Sequence, residues 1–430
     1  METSNLFVIP LDDQGVWFRY HHLFQAFLEQ ELQRRFSAAA IEALHNLAGN
    51  WFGQNDMLEE AVHHALAAQN LDLAARFIED QRIELLFRQK WHRIQVLLKL
   101  FPLDFIARRA SLLNLKALIF CYSYNFEALV PILKQVEDLL ATPDQEMSDQ
   151  LRRELESELA FMWGIVFFYW SADGARSLEK LNLAIEIAPK EHTLVQGYAL
   201  EHLIYANQMI GRFQEALELA ERANEKTAKY GQIYMVRIQF SLMVVHLSEG
   251  NLQKAEQAAK LVLKHAQERR LYESICWLSQ GLGYIYYQWN DLESARHYYT
   301  QALEYRYRTS VQAQALAFYG LARTLQALGE VTDAHEVGQS ALEWAEEVGD
   351  ARMLAEARAL CARLALLNGQ SADTHLWATA LGQNYSPMIF IEAAHLSLAA
   401  VLIAQGTTDS LTEAENLLTS LHEFCVQTHN

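Results

Sequence analysis

Apolar residues recur along this chain at helical spacing almost from end to end, with one exception at the start. Leu6–Leu11 (LFVIPL) and Val16–Tyr20 (VWFRY) are β-rich runs flanking the polar turn Asp12-Asp13-Gln14-Gly15, a pattern that predicts a hairpin. A two-stranded hairpin is marginally stable alone, so Phe7, Ile9, Trp17 and Phe18 are expected to be buried against the helices that follow. So little chain precedes the hairpin that the sequence is expected to open partway through a domain. Leu23, Phe24, Phe27, Leu28 and Leu32 then repeat at three-to-four spacing, as do Ile41, Leu44, Leu47 and Trp51, which predicts helices. Asp56 with Glu59 reads as an N-cap and capping box opening a helix through Ala68, Asn70 as the cap of the next, and Pro102 as the end of the helix holding Trp91, Ile94, Leu97 and Leu98.

Beyond residue 170 the chain repeats itself. Gly211-Arg-Phe-Gln-Glu-Ala216, Gly250-Asn-Leu-Gln-Lys-Ala255, Asn290-Asp-Leu-Glu-Ser-Ala295 and Gly329-Glu-Val-Thr-Asp-Ala334 are one phrase, with weaker copies at Asn125, Asp173-Gly174, Gly369 and Gly406. From 211 onward the intervals are 39, 40, 39, 40 and 37 residues. Gly or Asn accepts the left-handed conformation that closes one helix, a polar residue caps the next, and Ala lets the two helices approach closely. One such pair cannot bury its own apolar stripe, so successive pairs stack. The predicted fold is all-α: an α-α superhelix of helix pairs about 40 residues long, preceded by a small helical region with one β-hairpin. Ala141–Ser148, with Pro143, reads as an inter-helix loop within the array.

Composition narrows the function classes. With 35 Lys+Arg against 53 Asp+Glu the formal net charge is −18, which disfavours direct binding to nucleic acid or to an anionic membrane. Leu159–Ala172, an uncharged apolar run, is too short to span a bilayer, and no secretory leader pattern opens the chain. Cys121, Cys276, Cys361 and Cys425 are widely scattered within apolar helical patterns, as expected of reduced thiols in a cytoplasmic protein.

The Gly-x-aromatic/Leu-x-x-Ala phrase resembles the tetratricopeptide pattern, although that family's usual unit is 34 residues. The opening carries a sharper likeness. Asn5-Leu-Phe-Val-Ile-Pro-Leu-Asp-Asp13, Trp17-Phe-Arg-Tyr-His-His-Leu-Phe24 and Leu58-Glu-Glu-Ala-Val-His-His-Ala-Leu66 resemble the MalT-like branch of the LuxR-type transcriptional regulators, which are signal-transduction ATPases with numerous domains. The resemblance implies a partial winged helix over 1–36, a helical arm over 37–108 and a tetratricopeptide-like sensor superhelix over 109–430. His21-His22 would open the helix after the wing, and Trp91, Phe101-Pro102 and Ser111-Leu112-Leu113 fit the entry into the sensor. It also implies ATP or ADP as cofactor of a full-length member. No G-x-x-x-x-G-K-[ST] occurs in this chain, and a Ser410-x-x-Glu413 capping box is followed by no basic recognition helix. A sensor-region fragment or shortened relative, without ATPase and helix-turn-helix ends, is therefore expected.

Chemistry candidates are sparse. Glu59 with His63 and Glu60 with His64 are one helical turn apart, a spacing that suits two metal ligands but supplies no third, so ion pairing is the expected role. Glu154, Glu156 and Glu158 with Arg152 and Arg153 read as a solvated charged face. No nucleophile–base constellation appears, so no enzymatic activity and no metal are expected.

The resemblance places a ligand site instead. With each Gly or Asn turn taken as the end of a first helix, the groove-facing positions are Glu201, Tyr205 and Gln208, then Trp277, Gln280, Tyr284 and Tyr287, then Tyr319, Arg323 and Gln326, then Arg363. Tyrosines offer flat faces and hydroxyls, Gln280 a directional amide and Arg323 a fixed charge. The partner implied is a small-molecule inducer, a saccharide among the candidates, or a protein or peptide. A homo-oligomer is compatible with the family, and a stand-alone adaptor for a basic or amphipathic peptide is the alternative.

Overall fold

The computed structural model describes residues 7–10, 18–87, 90–142, 147–226, 232–305, 309–371, 377–381 and 394–429. Two compact units follow one another, Met1–Lys116 and Ala117–Asn430.

The first unit opens with strands β1 (Val8–Pro10) and β2 (Phe18–Tyr20), antiparallel with Ile9 opposite Arg19. The predicted hairpin is present; its turn and Trp17 lie outside the described residues. Helices α1 (His22–Arg35), α2 (Ala38–Gln54), α3 (Leu58–Ala67), α4 (Leu71–Phe87), α5 (Trp91–Leu98) and α6 (Leu103–Arg108) follow. His21 caps α1 through its ring nitrogen. The expected burial of the hairpin is not met: Phe7 and Phe18 are 52% and 54% exposed. Phe7 packs on Phe24 at 4.7 Å, but α1 itself has no buried residue and offers the strands little cover. The cap expected at Asp56 is also absent. Asp56 adopts φ +58°, and the N-cap residue of α3 is Met57, without a side-chain hydrogen bond. Asn70 does cap α4, its Oδ1 accepting from Leu73 N at 3.0 Å.

The second unit begins within α7 (Ala110–Tyr122) and continues as α8 (Phe126–Ala141), α9 (Asp149–Tyr169), α10 (Gly174–Ile187), α11 (Thr193–Met209), α12 (Phe213–Lys226), α13 (Gln232–Ser248), α14 (Leu252–Glu268), α15 (Tyr272–Gln288), α16 (Leu292–Leu303), α17 (Val311–Leu328), α18 (Val331–Val348), α19 (Ala351–Leu367), α20 (Ala378–Leu381), α21 (Ala394–Gln405) and α22 (Thr408–Gln427). The turn markers Gly211, Gly250, Asn290, Gly329, Gly369 and Gly406 all have φ between 60° and 83°, whereas at the weaker copies the left-handed residue is Tyr124 or Ala172, one position before the caps Asn125 and Asp173. A carbonyl and a Cβ crowd there in other residues, which is why Gly or Asn recurs. The capping box of α22 is Thr407 with Ser410, one turn before the expected Ser410–Glu413 pair.

Each pair comprises a first (A) helix and a second (B) helix. The A helices α11, α13, α15, α17 and α19 pack directly on one another in sequence, while successive B helices make at most marginal contact. The A helices therefore form the tighter, inner layer of the curve. B helices are amphipathic: in α14 only Ala255, Ala259, Val262, Leu263 and Ala266 are buried. A helices are covered on most sides, so α11 buries even Glu201, His202, Tyr205 and Gln208. The far end of the unit meets the turn after α11. Gln208 Nε2 donates to the carbonyl of His429 at 3.2 Å, and the His429 ring lies where a Cβ on Gly211 would stand, 2.9 Å away.

Candidate functional site: the inner wall of A helices

A carboxylate buried in a helical wall must be paired. Glu201 on α11 is 3% exposed; its Oε1 accepts from the Tyr205 hydroxyl at 3.2 Å and its Oε2 from Arg237 Nε at 2.6 Å. The Arg237 guanidinium, on α13, lies 4.2 Å over the Tyr198 ring. Burial opposes the charge on Arg237, but Glu201 and the neighbouring tyrosines together hold its pKa well above the ordinary arginine value. Around this pair Tyr122 meets Tyr198 edge-on at 5.3 Å and Tyr124 meets Tyr169 at 5.1 Å. Burial raises the hydroxyl pKa of Tyr169, Tyr198 and Tyr205, so all three remain protonated donors. Burial also lowers the pKa of His202, whose Nδ1 lies 2.8 Å from the Tyr198 carbonyl.

One repeat on, Glu273 accepts from Trp277 Nε1 at 2.8 Å and from Ser310 N at 2.7 Å. Gln280 is 2% exposed, and its Oε1 has no hydrogen-bond partner among the described residues. Further on, Arg323 stacks 4.7 Å over Tyr287 and reaches its hydroxyl at 3.4 Å. Tyr284 is half-buried, and burial raises its pKa. Tyr299 reaches the same cluster from the B helix α16. Its ring passes against Gly283 and Gly320, where a Cβ would meet it at 2.9 Å and 2.1 Å. The glycines open a window between α15 and α17. Beyond it, Tyr319 and Ser397 share a hydrogen bond of 2.6 Å, and the amides of Gln326 and Asn368 pair reciprocally.

The expected residues thus lie on the A helices α11, α15, α17 and α19, with different degrees of access. Glu201, Tyr205 and Gln280 are within the wall. Trp277, Tyr284, Tyr287, Tyr319, Arg323 and Arg363 are half-buried and contribute to its surface. Glu201 is brought against Tyr205, and Arg323 against Tyr287. Sequence reasoning passed over Arg237, Tyr198, Glu273 and Tyr299. Arg237 stands 40 residues before Trp277 and 39 after Tyr198, so extending the register to the unit ending at Gly250 would have found it.

The other candidates have structural partners. Glu59 forms a two-pronged ion pair with Arg93. His64 Nδ1 lies 2.8 Å from His45 Nδ1. No group of three potential metal ligands occurs among the described residues. The expected solvated face on α9 is corrected: Glu158 is fully buried against His192 at 2.7 Å, and Glu154 is 8% exposed, because α9 packs against α8, α10 and α11. No helix of the described residues is long and apolar enough to cross a membrane.

Helix pairs at a 39–40-residue period, glycine-closed and stacked A on A, meet their counterpart among known proteins: the family model for the MalT-like TPR region matches residues 175–430. The chain belongs to this family. A MalT winged helix domain model matches residues 1–40, the stretch holding the hairpin and α1. Among relatives, the HTH-type transcriptional regulator MalT of Serratia proteamaculans is 24% identical over 348 residues, 78% of this chain and 37% of that protein. The serine/threonine-protein kinase PknK of Mycobacterium tuberculosis is 34% identical over 111 residues, 26% of this chain and 10% of the kinase. The chain therefore spans well under half the length of these relatives. A solved STAND protein with a tetratricopeptide repeat sensor, PH0952 from Pyrococcus horikoshii, superposes with a TM-score of 0.53 at 17% identity, covering 95% of this chain and 59% of that one. The likeness establishes the shared helical-repeat fold.

Proposed function

We propose that this chain is a non-catalytic sensing module of a MalT-like regulator, which binds a small-molecule inducer or a partner along the wall of A helices. Binding there is coupled to a nucleotide-binding domain outside this chain. The supporting observation is the stripe of half-buried aromatic and polar side chains at one register on α15 and α17, with Arg323 fixed over Tyr287. Tyrosine rings and hydroxyls suit a polyhydroxylated ligand such as an oligosaccharide, and the guanidinium supplies directional donors. An inducer that orders neighbouring repeats would change the curvature of the stack, giving a signal that reaches its ends. Titration with a panel of metabolites and oligosaccharides, followed by thermal shift, should find a saturable stabiliser. Saturable ATP hydrolysis by this chain alone would overturn the reading.

The alternative is an adaptor for a protein segment. It is favoured by the outer helices α18 and α22, which carry nine acidic residues and no Lys or Arg and would attract a basic partner. Capture of a basic peptide that is abolished by charge reversal on α18, with no small molecule binding the wall, would select it.

A further inference from the structure

Charge is divided unevenly between the two layers of the superhelix. The A helices α11, α13, α15, α17, α19 and α21 together hold five arginines and three glutamates, a net +2. The B helices α12, α14, α16, α18 and α22 hold 16 acidic and six basic residues, a net −10. Among these helices the acidity therefore belongs to the outer layer. Charges more than about 8 Å apart through solvent are largely screened at physiological ionic strength, so a ligand inside responds to the inner layer.

Within that layer Arg237 is singular. Its Nε is bound by Glu201, its plane is stacked on Tyr198, and its terminal amino groups make no hydrogen bond among the described residues. The side chain is 26% exposed, whereas that of Glu201 is 4% exposed, so the carboxylate lies deeper in the wall than the arginine it holds. Both oxygens of Glu201 are engaged, by Tyr205 and Arg237, and both of Glu273, by Trp277 and Ser310. A guanidinium fixed at Nε and stacked on an aromatic ring keeps its end-on pair of donors in the fork geometry that matches a carboxylate, with its ordering entropy already lost in the fold.

We infer that Arg237 is a carboxylate-binding residue, its two terminal amino groups receiving the carboxylate of a small organic acid that lies on the A-helix wall. The inference rests on the reading of this wall as a ligand site and specifies a chemical class for it. Glu201 and Tyr198 act as positioning residues for the guanidinium.

The test uses the full chain and matched probes: acetate, succinate and benzoate beside acetamide, succinamide and benzamide, followed by thermal shift and calorimetric titration. Saturable binding of a carboxylate in the millimolar range or tighter, with its amide at least about tenfold weaker, is the expected result. Arg237→Lys, which keeps the charge and loses the fork, should weaken binding about tenfold or more. Arg237→Gln alone would leave Glu201 buried without its cation, so Arg237→Gln combined with Glu201→Gln provides a neutral, hydrogen-bonded pair whose folding is checked by circular dichroism. Equal binding of acid and amide, undiminished binding by the folded double variant, or no carboxylate binding at all would overturn the assignment. A metabolite that binds the wall in an Arg323-dependent but Arg237-independent way would overturn the assignment while leaving the sensing function intact.

Discussion

The ring of Tyr299 occupies the space that any side chain on Gly320 would need. A Cβ at Gly320 would lie 2.1 Å from Tyr299 Cε1, and one at Gly283 would lie 2.9 Å from the same ring. Tyr299 is 4% exposed, so the ring has nowhere to retreat. Gly320→Ala should therefore destabilise the second unit by about 1–3 kcal/mol through overpacking, with a smaller loss for Gly283→Ala. Thermal melts of the two variants check the order. Stabilisation of Gly320→Ala, as ordinary helix propensity would give, would mean that Tyr299 does not fill the window.

Gly250 provides the complementary case. Its φ is +71° and no atom lies within 4 Å of a Cβ placed there. Only backbone strain opposes a side chain, so Gly250→Ala should cost about 1–2 kcal/mol, and Gly250→Asn less. At Asn290, φ +60°, Asn290→Gly should be nearly neutral. Melting all three variants under one condition separates the conformational effect from packing.

These two classes of glycine mark what was legible in the sequence. The turn glycines are spaced at 39 or 40 residues and announce themselves, since a left-handed residue between two amphipathic runs has few alternatives. Gly283 and Gly320 lie inside apolar helices, and nothing local says that a tyrosine from another helix will reach them. The same distinction explains the errors on α9 and at Arg237. Helical periodicity identifies a charged stripe, but whether Glu158 meets water or His192 depends on the neighbour that covers it. The hairpin strands were readable from two β-rich runs flanking a polar turn, while the exposure of Phe7 and Phe18 follows from how little α1 contributes.

The Arg323–Tyr287 stack should matter more for binding than for folding. If an inducer occupies this part of the wall, Arg323→Ala and Tyr284→Ala should each weaken it by about 1–3 kcal/mol while the circular dichroism spectrum stays that of the parent. Calorimetric titration of the stabiliser found by the metabolite panel reads the effect. Equal affinity for the parent and both variants would move the site to another surface.

Acid should loosen the contact between α2 and α3. Burial lowers the pKa of His64, and the neighbouring His45 and His63 lower it further, against an opposing pull from Glu60. The folded value thus lies below the unfolded one of about 6.5, so the neutral ring is favoured by folding. That contribution is complete above the unfolded value and is lost as pH falls through the folded one. Two rings meeting nitrogen to nitrogen at 2.8 Å can share one proton between them but not hold two. Amide exchange of α2 and α3, corrected for intrinsic rates, should accelerate between pH 7.5 and pH 5. His64→Asn, which places an amide where Nδ1 stood, should flatten the dependence.

Repeat arrays ordinarily behave as chains of nearest neighbours, free to unzip from either end. The hydrogen bond from Gln208 to the His429 carbonyl links residues 221 positions apart and gives this array a clasp. Local opening of α22 then requires release of the α11–α12 corner as well. A closed array also trades independence for cooperativity: the repeats between 208 and 429 share one long-range constraint, and loosening any of them is felt at the clasp. Folding should pay for that constraint in speed, because the contact forms only after the whole loop of chain has been gathered.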